Sequence, residues 1–218
     1  MTTSRAGSPR SAPRARRARG SLSEGEILDA AIAIVESEGL RALSLPALAR
    51  HIGSGVTSIY SYFGSKDALL DALAQRVLSD VHQQLPPMGD RPWPEELFDY
   101  FDSFHGLLQE LPAYREVVAY GSAYISHALL TRGAQLRLRA GIDLLVGAGL
   151  SSRAAAQAFN ACLNYTRGFV ALQQGLADRA AGVDGEAATS ELGSFNRIDD
   201  TSFRHGLRLL VAGIAAGV

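Results

Sequence analysis

Thr57, Ser58, Ser61 and Tyr62, with Tyr60 at their edge, set hydroxyl groups along one side of a short segment that contains no acid. Such groups suit phosphate oxygens and base edges, which are bound through hydrogen bonds rather than bond-making chemistry. Lys66, the single lysine of the chain, follows them closely. It stands one residue after Ser65, which the run Ser65-Lys66-Asp67-Ala68-Leu69-Leu70 marks as a helix N-cap. A cation there opposes the positive end of the helix dipole, at a cost of a few tenths to about 1 kcal/mol. A phosphate held between that helix end and Lys66 would offset the cost; a solvated surface lysine is the bland alternative.

Positioning these groups requires a particular pair of helices. Leu45, Leu48, Ala49 and Ile52 share one helical face before Gly53-Ser54-Gly55, and Val56, Ile59 and Phe63 share one after it. Both glycines can take the positive φ that lets one helix cross the next steeply. The second helix then buries Val56, Ile59 and Phe63 and presents its hydroxyl side. The pattern is that of a helix-turn-helix DNA reader, braced by a longer helix starting at Ser65.

The run GVTSIYSYFGSKDALL resembles the signature of the TetR family of bacterial transcriptional regulators: a Gly-Val/Ile start, a Tyr-x-x-Phe core and a Ser-Lys helix start, in this order. The likeness covers about Ser23 to Leu78, and the remainder matches only by helix pattern and length. It implies that Ser44 is a phosphate contact at the start of the first motif helix. It implies further that Thr57, Ser58, Ser61 and Tyr62 are reader contacts and that Tyr60 and Lys66 clamp phosphates. The family often carries His where this chain has Tyr62.

Composition fits that placement once charge is split along the chain. Net charge is −1, but residues 1–20 hold six Arg and no acid, which leaves 15 basic against 22 acidic residues, or −7, in the rest. The acidic body should not adhere to DNA by itself. Cys162 is the only cysteine, which excludes an intrachain disulfide and a multi-cysteine metal site and suits a reducing cytoplasm. Its apolar neighbours read as a buried side chain rather than a redox sensor. No apolar run approaches the ~18–20 residues that span a bilayer, and no apolar stretch follows the Arg-rich start as a secretory signal requires.

The chain divides into a disordered basic tail (1–22), a helix-turn-helix DNA-binding domain (23–68) and a helical effector-binding and dimerisation domain (69–218), an all-α architecture. The tail either adds phosphate or minor-groove contacts or is a solvated extension. Ser23-Glu24-Gly25-Glu26 is a capping box for a first helix that stops at Gly39. The connector helix from Ser65 carries Leu69, Leu70, Leu73, Val77 and Val81 and ends before Pro86-Pro87, where a proline-rich loop runs over 86–94. Helices are expected at 95–111, from about 113, at 126–146, at 151–179 and at 201–216, with a polar loop at 182–200. Glu110 and Glu116, near Pro112, read as solvated helix ends.

The last two helices carry apolar stripes, Ala155, Phe159, Cys162, Leu163, Thr166 and Val170 on one and Phe203, Leu207, Leu210 and Ile214 on the other. They are the expected homodimer surface, because two readers one DNA turn apart match a palindromic double-stranded operator, and the alternative is that the stripes merely close the monomer's own core. TetR-like regulators pair in this way. Core packing explains most of the aromatic cluster of Trp93, Tyr100, Phe101, Phe104, Tyr114, Tyr120 and Tyr124, and an effector pocket for a small hydrophobic or aromatic molecule explains why so many hydroxyl-bearing aromatics occur together. Resemblance to the tetracycline-repressor branch adds His82 and Phe104 as pocket contacts. The magnesium-binding His of that branch would fall near Val118 or Ala119, which cannot ligate a metal; no metal and no cofactor are expected. An all-helical enzyme, or a small-molecule binder without an operator, is the competing reading. His82, His105, His127 and His205 fall on different helices, and Glu95-Glu96 share no face, so paired catalytic groups are wanting. A third reading, a non-specific nucleic-acid coat, rests on the Arg tail alone.

Overall fold

A computed structural model of the chain describes residues 22–120, 132–180 and 198–217, and the described residues form helices without strands. Helix α1 (Glu24–Glu38) starts from the predicted capping box: the Ser23 N–H donates to the Glu26 carboxylate at 2.9 Å and the Glu26 N–H to Ser23 Oγ at 3.2 Å. Gly39, at φ +83°, ends it and leads into a 3₁₀ turn (Leu40–Ala42). Then come α2 (Leu45–Ile52), α3 (Val56–Tyr62) and α4 (Lys66–Gln84). Ser44 and Ser65 cap α2 and α4, their Oγ atoms accepting from the N–H groups of Ala47 at 3.2 Å and Ala68 at 3.1 Å.

The body follows as α5 (Trp93–Glu110), α6 (Pro112–Tyr120), α7 (Arg132–Gly147), α8 (Ser152–Ala180) and α9 (Asp200–Ala216). The predicted start of α7 near Ser126 and most of the 182–200 loop lie outside the described residues. The end of that loop is helical: Asp199 caps α9 by accepting the Ser202 N–H at 2.8 Å. Similarly, the proline-rich loop is shorter than expected, because Trp93 already opens α5.

The predicted apolar faces turn inward with informative exceptions. Ile27, Ala31, Leu48, Ile59, Leu69 and Leu73 form the core around the reader, while Leu97, Phe101, Leu145, Phe159, Phe203 and Leu207 fill the body. Val56, expected inside, is 38% exposed, so α3 rests on Ile59 and Phe63 alone. On α9 the inward row is Phe203, Leu207 and Val211, at spacing of four; Leu210 and Ile214 are only partly covered, so the stripes expected at a homodimer surface, with Ala155, Phe159, Cys162, Thr166 and Val170 of α8 also buried, mostly close the chain's own core.

Two close approaches join the last helices. A Cβ at Gly141 of α7 would overlap the Phe159 ring of α8, and one at Gly206 of α9 would overlap the Tyr165 hydroxyl of α8. The Tyr165 hydroxyl also donates to the Phe203 carbonyl at 3.1 Å. Between the Gly141 gap and the core, Phe159 lies 5.1 Å from the Phe101 ring and 5.9 Å from that of Tyr100, centroid to centroid.

Candidate functional site

The reader is built by the turn. Gly53 takes the left-handed conformation at φ +73°, and its N–H closes α2 on the Arg50 carbonyl at 3.2 Å. Gly55, also free to take that geometry, is extended at φ −75° and serves as the N-cap of α3. One left-handed glycine is thus enough for the crossing. With Ile59 and Phe63 buried, Thr57, Ser58, Tyr60, Ser61 and Tyr62 all face outward. Ser44 is half-buried at the start of α2 and Lys66 is exposed at the first position of α4, so both flank the hydroxyl face from neighbouring helix starts.

Local bonds already occupy two of these hydroxyls. Ser61 Oγ donates to the Ser58 carbonyl at 2.7 Å, and the Tyr62 hydroxyl donates to the Leu22 carbonyl. The Tyr60 ring is half exposed, and no hydrogen bond holds its hydroxyl among the described residues. Sequence alone gives no sign of the Tyr62 bond, because Leu22 lies forty positions away.

A polar network joins the reader to the body. Arg76 of α4 pairs with Asp29 of α1 at 3.1 Å and with Asp80 at 2.9 Å, and the Tyr114 hydroxyl of α6 donates to the same Asp80 at 3.2 Å. The hydrogen bond to Asp80 raises the Arg76 pKa further, while burial and the Asp80 charge raise that of Tyr114. Glu116 of α6 accepts the Leu40 N–H. This corrects its reading as a solvated end; Glu110 is indeed exposed. A carboxylate that meets its partner only through the fold leaves no local signal in the sequence.

Glu96 is the second missed residue. Its buried carboxylate accepts the N–H groups of Gly89, Asp90 and Arg91, each at 2.7 Å, and so fixes the loop between α4 and α5. Burial alone raises its pKa, but the three donors and the Arg91 charge outweigh that and hold it below the usual carboxylate value. Glu96 stands in the first turn of α5, and nothing local in the sequence shows that its carboxylate folds back onto the loop.

The interior residues are placed unevenly. Tyr100 and Phe104 are buried on one face of α5, and burial pushes the Tyr100 phenol up to about 12. His82 is half-buried near the end of α4; burial, aided by the charge of Arg137, lowers its pKa. Trp93 instead lines an open groove of about 530 Å³ with Met88, Arg91, Asp143 and Leu144. The side chain of Tyr120, like all of Tyr124 and His127, lies outside the described residues. Three buried polar atoms have no partner among the described residues: His82 Nδ1, Arg115 Nε and Gln174 Oε1.

His105 belongs to a different cluster. It stacks on Phe203 at 3.8 Å, and its Nε2 lies 3.1 Å from Gln173 Oε1 and from Gln109 Nε2. Burial lowers its pKa. Cys162 is fully buried and its thiol is pushed up to about 11, which suits its reading as an inert core side chain. Among the described residues no group of three His, Cys, Asp or Glu is placed to hold a metal, and no helix is long and apolar enough to cross a membrane.

Known proteins share this architecture. The family model described as bacterial regulatory proteins, tetR family, matches residues 27–73, the three reader helices and the first turns of α4. The tetracycline repressor protein class A from transposon 1721 of Escherichia coli is 30% identical over 206 residues, which span 89% of this chain and 91% of that protein. An HTH-type transcriptional repressor of Mycobacterium tuberculosis is 34% identical over 161 residues, covering 74% of this chain but 61% of that protein's length. Among solved structures, TetR from Acinetobacter baumannii AYE aligns with a TM-score of 0.69 at 25% identity, over 88% of this chain and 96% of that one. The likeness extends beyond the reader into the body, and the chain belongs to the TetR family of bacterial regulatory proteins.

Proposed function

We propose that the chain is a homodimeric, sequence-specific DNA-binding regulator without enzymatic activity, acting in the cytoplasm, that occupies a palindromic operator and leaves it when a small hydrophobic or aromatic effector binds. The observation that carries this reading is the outward hydroxyl face of α3, flanked by Ser44 and Lys66 at neighbouring helix starts. Thr57, Ser58, Ser61 and Tyr62 meet base edges and backbone in the major groove, while Ser44, Tyr60 and Lys66 hold phosphates. The repressor names of the relatives in Escherichia coli and Mycobacterium tuberculosis support the direction of control.

Dimerisation sets the spacing of two readers at about one DNA turn, ~34 Å. Support comes from α8 and α9, which keep Leu172, Leu176 and Leu209 exposed although each helix already has a buried face. Residues 23–68 act as the reader domain and 69–218 as the effector and dimer domain. His82, Trp93, Tyr100, Phe104 and Tyr120 are the proposed effector contacts. Binding there favours a tilt of α4 that separates the readers; a hundredfold preference for the tilted state, about 2.7 kcal/mol, is sufficient to empty most sites.

Selection of bound sequences from random duplex DNA by the purified protein, at about 150 mM salt where non-specific phosphate binding is weakened, tests the reading. One palindromic motif is the expected result. Uniform recovery of all sequences would replace it with a non-specific coat protein.

A further inference from the structure

The helix-turn-helix domain lacks the charge that a DNA partner demands. Residues 23–68 carry three basic side chains, Arg41, Arg50 and Lys66, against six acids, a net of −3, and all nine are exposed. The reader helix α3 itself holds no charged residue. Duplex DNA presents one negative charge per about 1.7 Å of its axis, so a surface of the same sign is repelled by it. Hydroxyl groups choose among bases and phosphates, but they release no counterions and so supply little of the affinity.

The missing charge stands next along the chain. Arg5, Arg10, Arg14, Arg16, Arg17 and Arg19 precede Leu22, with no acid among residues 1–20. The fold fixes where this run departs. Leu22 packs against the core, and its carbonyl accepts the hydroxyl proton of Tyr62, the last residue of α3. Ser23, the next residue, is held by the capping box of α1. The arginine run therefore leaves from the C-terminal end of the reader helix, beside the exposed Tyr62 ring. Arg16, Arg17 and Arg19 stand three to six positions before Leu22. An extended chain keeps them within roughly 20 Å of it and lets Arg5 reach about 60 Å. The major groove is about 12 Å wide, so with α3 in the groove the nearer three arginines come within reach of the phosphates on its rim.

We propose that residues 1–20 are the principal phosphate-binding element of the protein, an arginine arm that runs from the Tyr62 end of α3 along the DNA backbone flanking the bases that α3 reads. The six arginines turn the net charge of the reader from −3 to +3. Tyr62 is a positioning residue in this arrangement, because its hydroxyl ties the root of the arm to the reader. The proposal rests on the reading of α3 as the DNA-contacting helix and adds the source of affinity: the hydroxyl face selects and the arm holds.

Three full-length chains test it: the native one, a sixfold variant with Arg5→Gln, Arg10→Gln, Arg14→Gln, Arg16→Gln, Arg17→Gln and Arg19→Gln, and a chain with the same six positions changed Arg→Lys. Each is titrated onto the selected duplex and onto a scrambled duplex across a range of salt. In the Gln variant the slope of log affinity against log salt should flatten by about 3 or more on both duplexes, and binding at about 150 mM salt should weaken about a hundredfold. The Arg→Lys chain keeps the charge and should keep most of the slope. Tyr62→Phe, which retains the ring, should weaken the native chain severalfold but the Gln variant by less than about twofold. An unchanged slope in the Gln variant overturns the proposal, as does tighter binding, which would put the arm on the acidic body instead. An equal loss from Tyr62→Phe in both chains also overturns it. If circular dichroism shows the sixfold variant unfolded, Arg16→Gln with Arg17→Gln and Arg19→Gln decides by the same slope. A native chain that binds both duplexes alike would sink the regulator reading, while the slope comparison still decides the arm.

Discussion

Glu116 accepts the backbone N–H of Leu40 across 76 positions, so α6 of the body holds the corner between α1 and α2. Gly39, at φ +83°, turns the chain there on a backbone that disfavours side chains, although a Cβ would meet the Glu116 carboxylate only at an ordinary contact distance of 3.5 Å. From another face of α6, Tyr114 reaches Asp80 of α4. The short helix therefore has a polar hold on both elements that carry the reader.

Removing the first hold should be felt in the fold. Glu116→Ala leaves the Leu40 N–H without its acceptor and is expected to cost about 1–3 kcal/mol. Glu116→Gln, which retains an oxygen, should recover most of that. Thermal melts of the two variants make the comparison, and equal melting points for Ala and native chains would remove Glu116 from this role.

The reader variants should fail in a different way. Tyr60→Phe and Lys66→Ala leave the core untouched, so both should fold and melt normally while binding the selected operator more weakly. Loss of a phosphate contact at Lys66 should also reduce the slope of log affinity against log salt by about 1. Normal affinity in both variants would mean that another surface reads the DNA.

Glu96 should matter for the loop before α5. Glu96→Gln replaces a carboxylate with a group that cannot satisfy the three N–H donors equally, at an expected cost of about 1–3 kcal/mol. Because its pKa is lowered in the fold, the stabilisation is complete above the ordinary carboxylate range and is lost as pH falls through the folded value. Urea melts of native and variant chains should converge at strongly acidic pH, and a constant gap down to that range would contradict the assignment.

His82 and His105 give a second pH dependence. Burial lowers both pKa values below 6.5, so the unfolded chain takes up protons first as pH falls. Stability is then full above the ordinary histidine range and declines as pH drops below about 6.5 toward the folded values. The melting point should be flat from about pH 8 to 7 and fall by pH 5.5, with a smaller fall in His105→Asn. A flat profile through this interval would show that neither ring is held neutral.

Local chemistry made the helices legible from sequence. Ser23 with Glu26, Ser44 and Ser65 act on N–H groups three residues away, and the Leu69–Val81 row follows the helix period, so each signal sits within one turn. The hydroxyl face of α3 was readable for the same reason. What stayed hidden depends on meeting a distant partner: Glu116 with Leu40, Tyr62 with Leu22, Arg76 with Asp29. Val56 was misplaced because periodicity gives a face but not how much of its rim the neighbours cover. Gly55 shows that the ability to take positive φ is not a need to take it.

Phe159 and Tyr165 reach from α8 into the gaps left by Gly141 and Gly206, one on each neighbouring helix. Rings seated in this way act as dowels: α7 or α9 cannot slide along α8 without first lifting an aromatic over the flanking turns, against close packing. The three helices thereby form a stator. A glycine-to-alanine change at 141 would set a Cβ 2.2 Å from the Phe159 ring and loosen this frame.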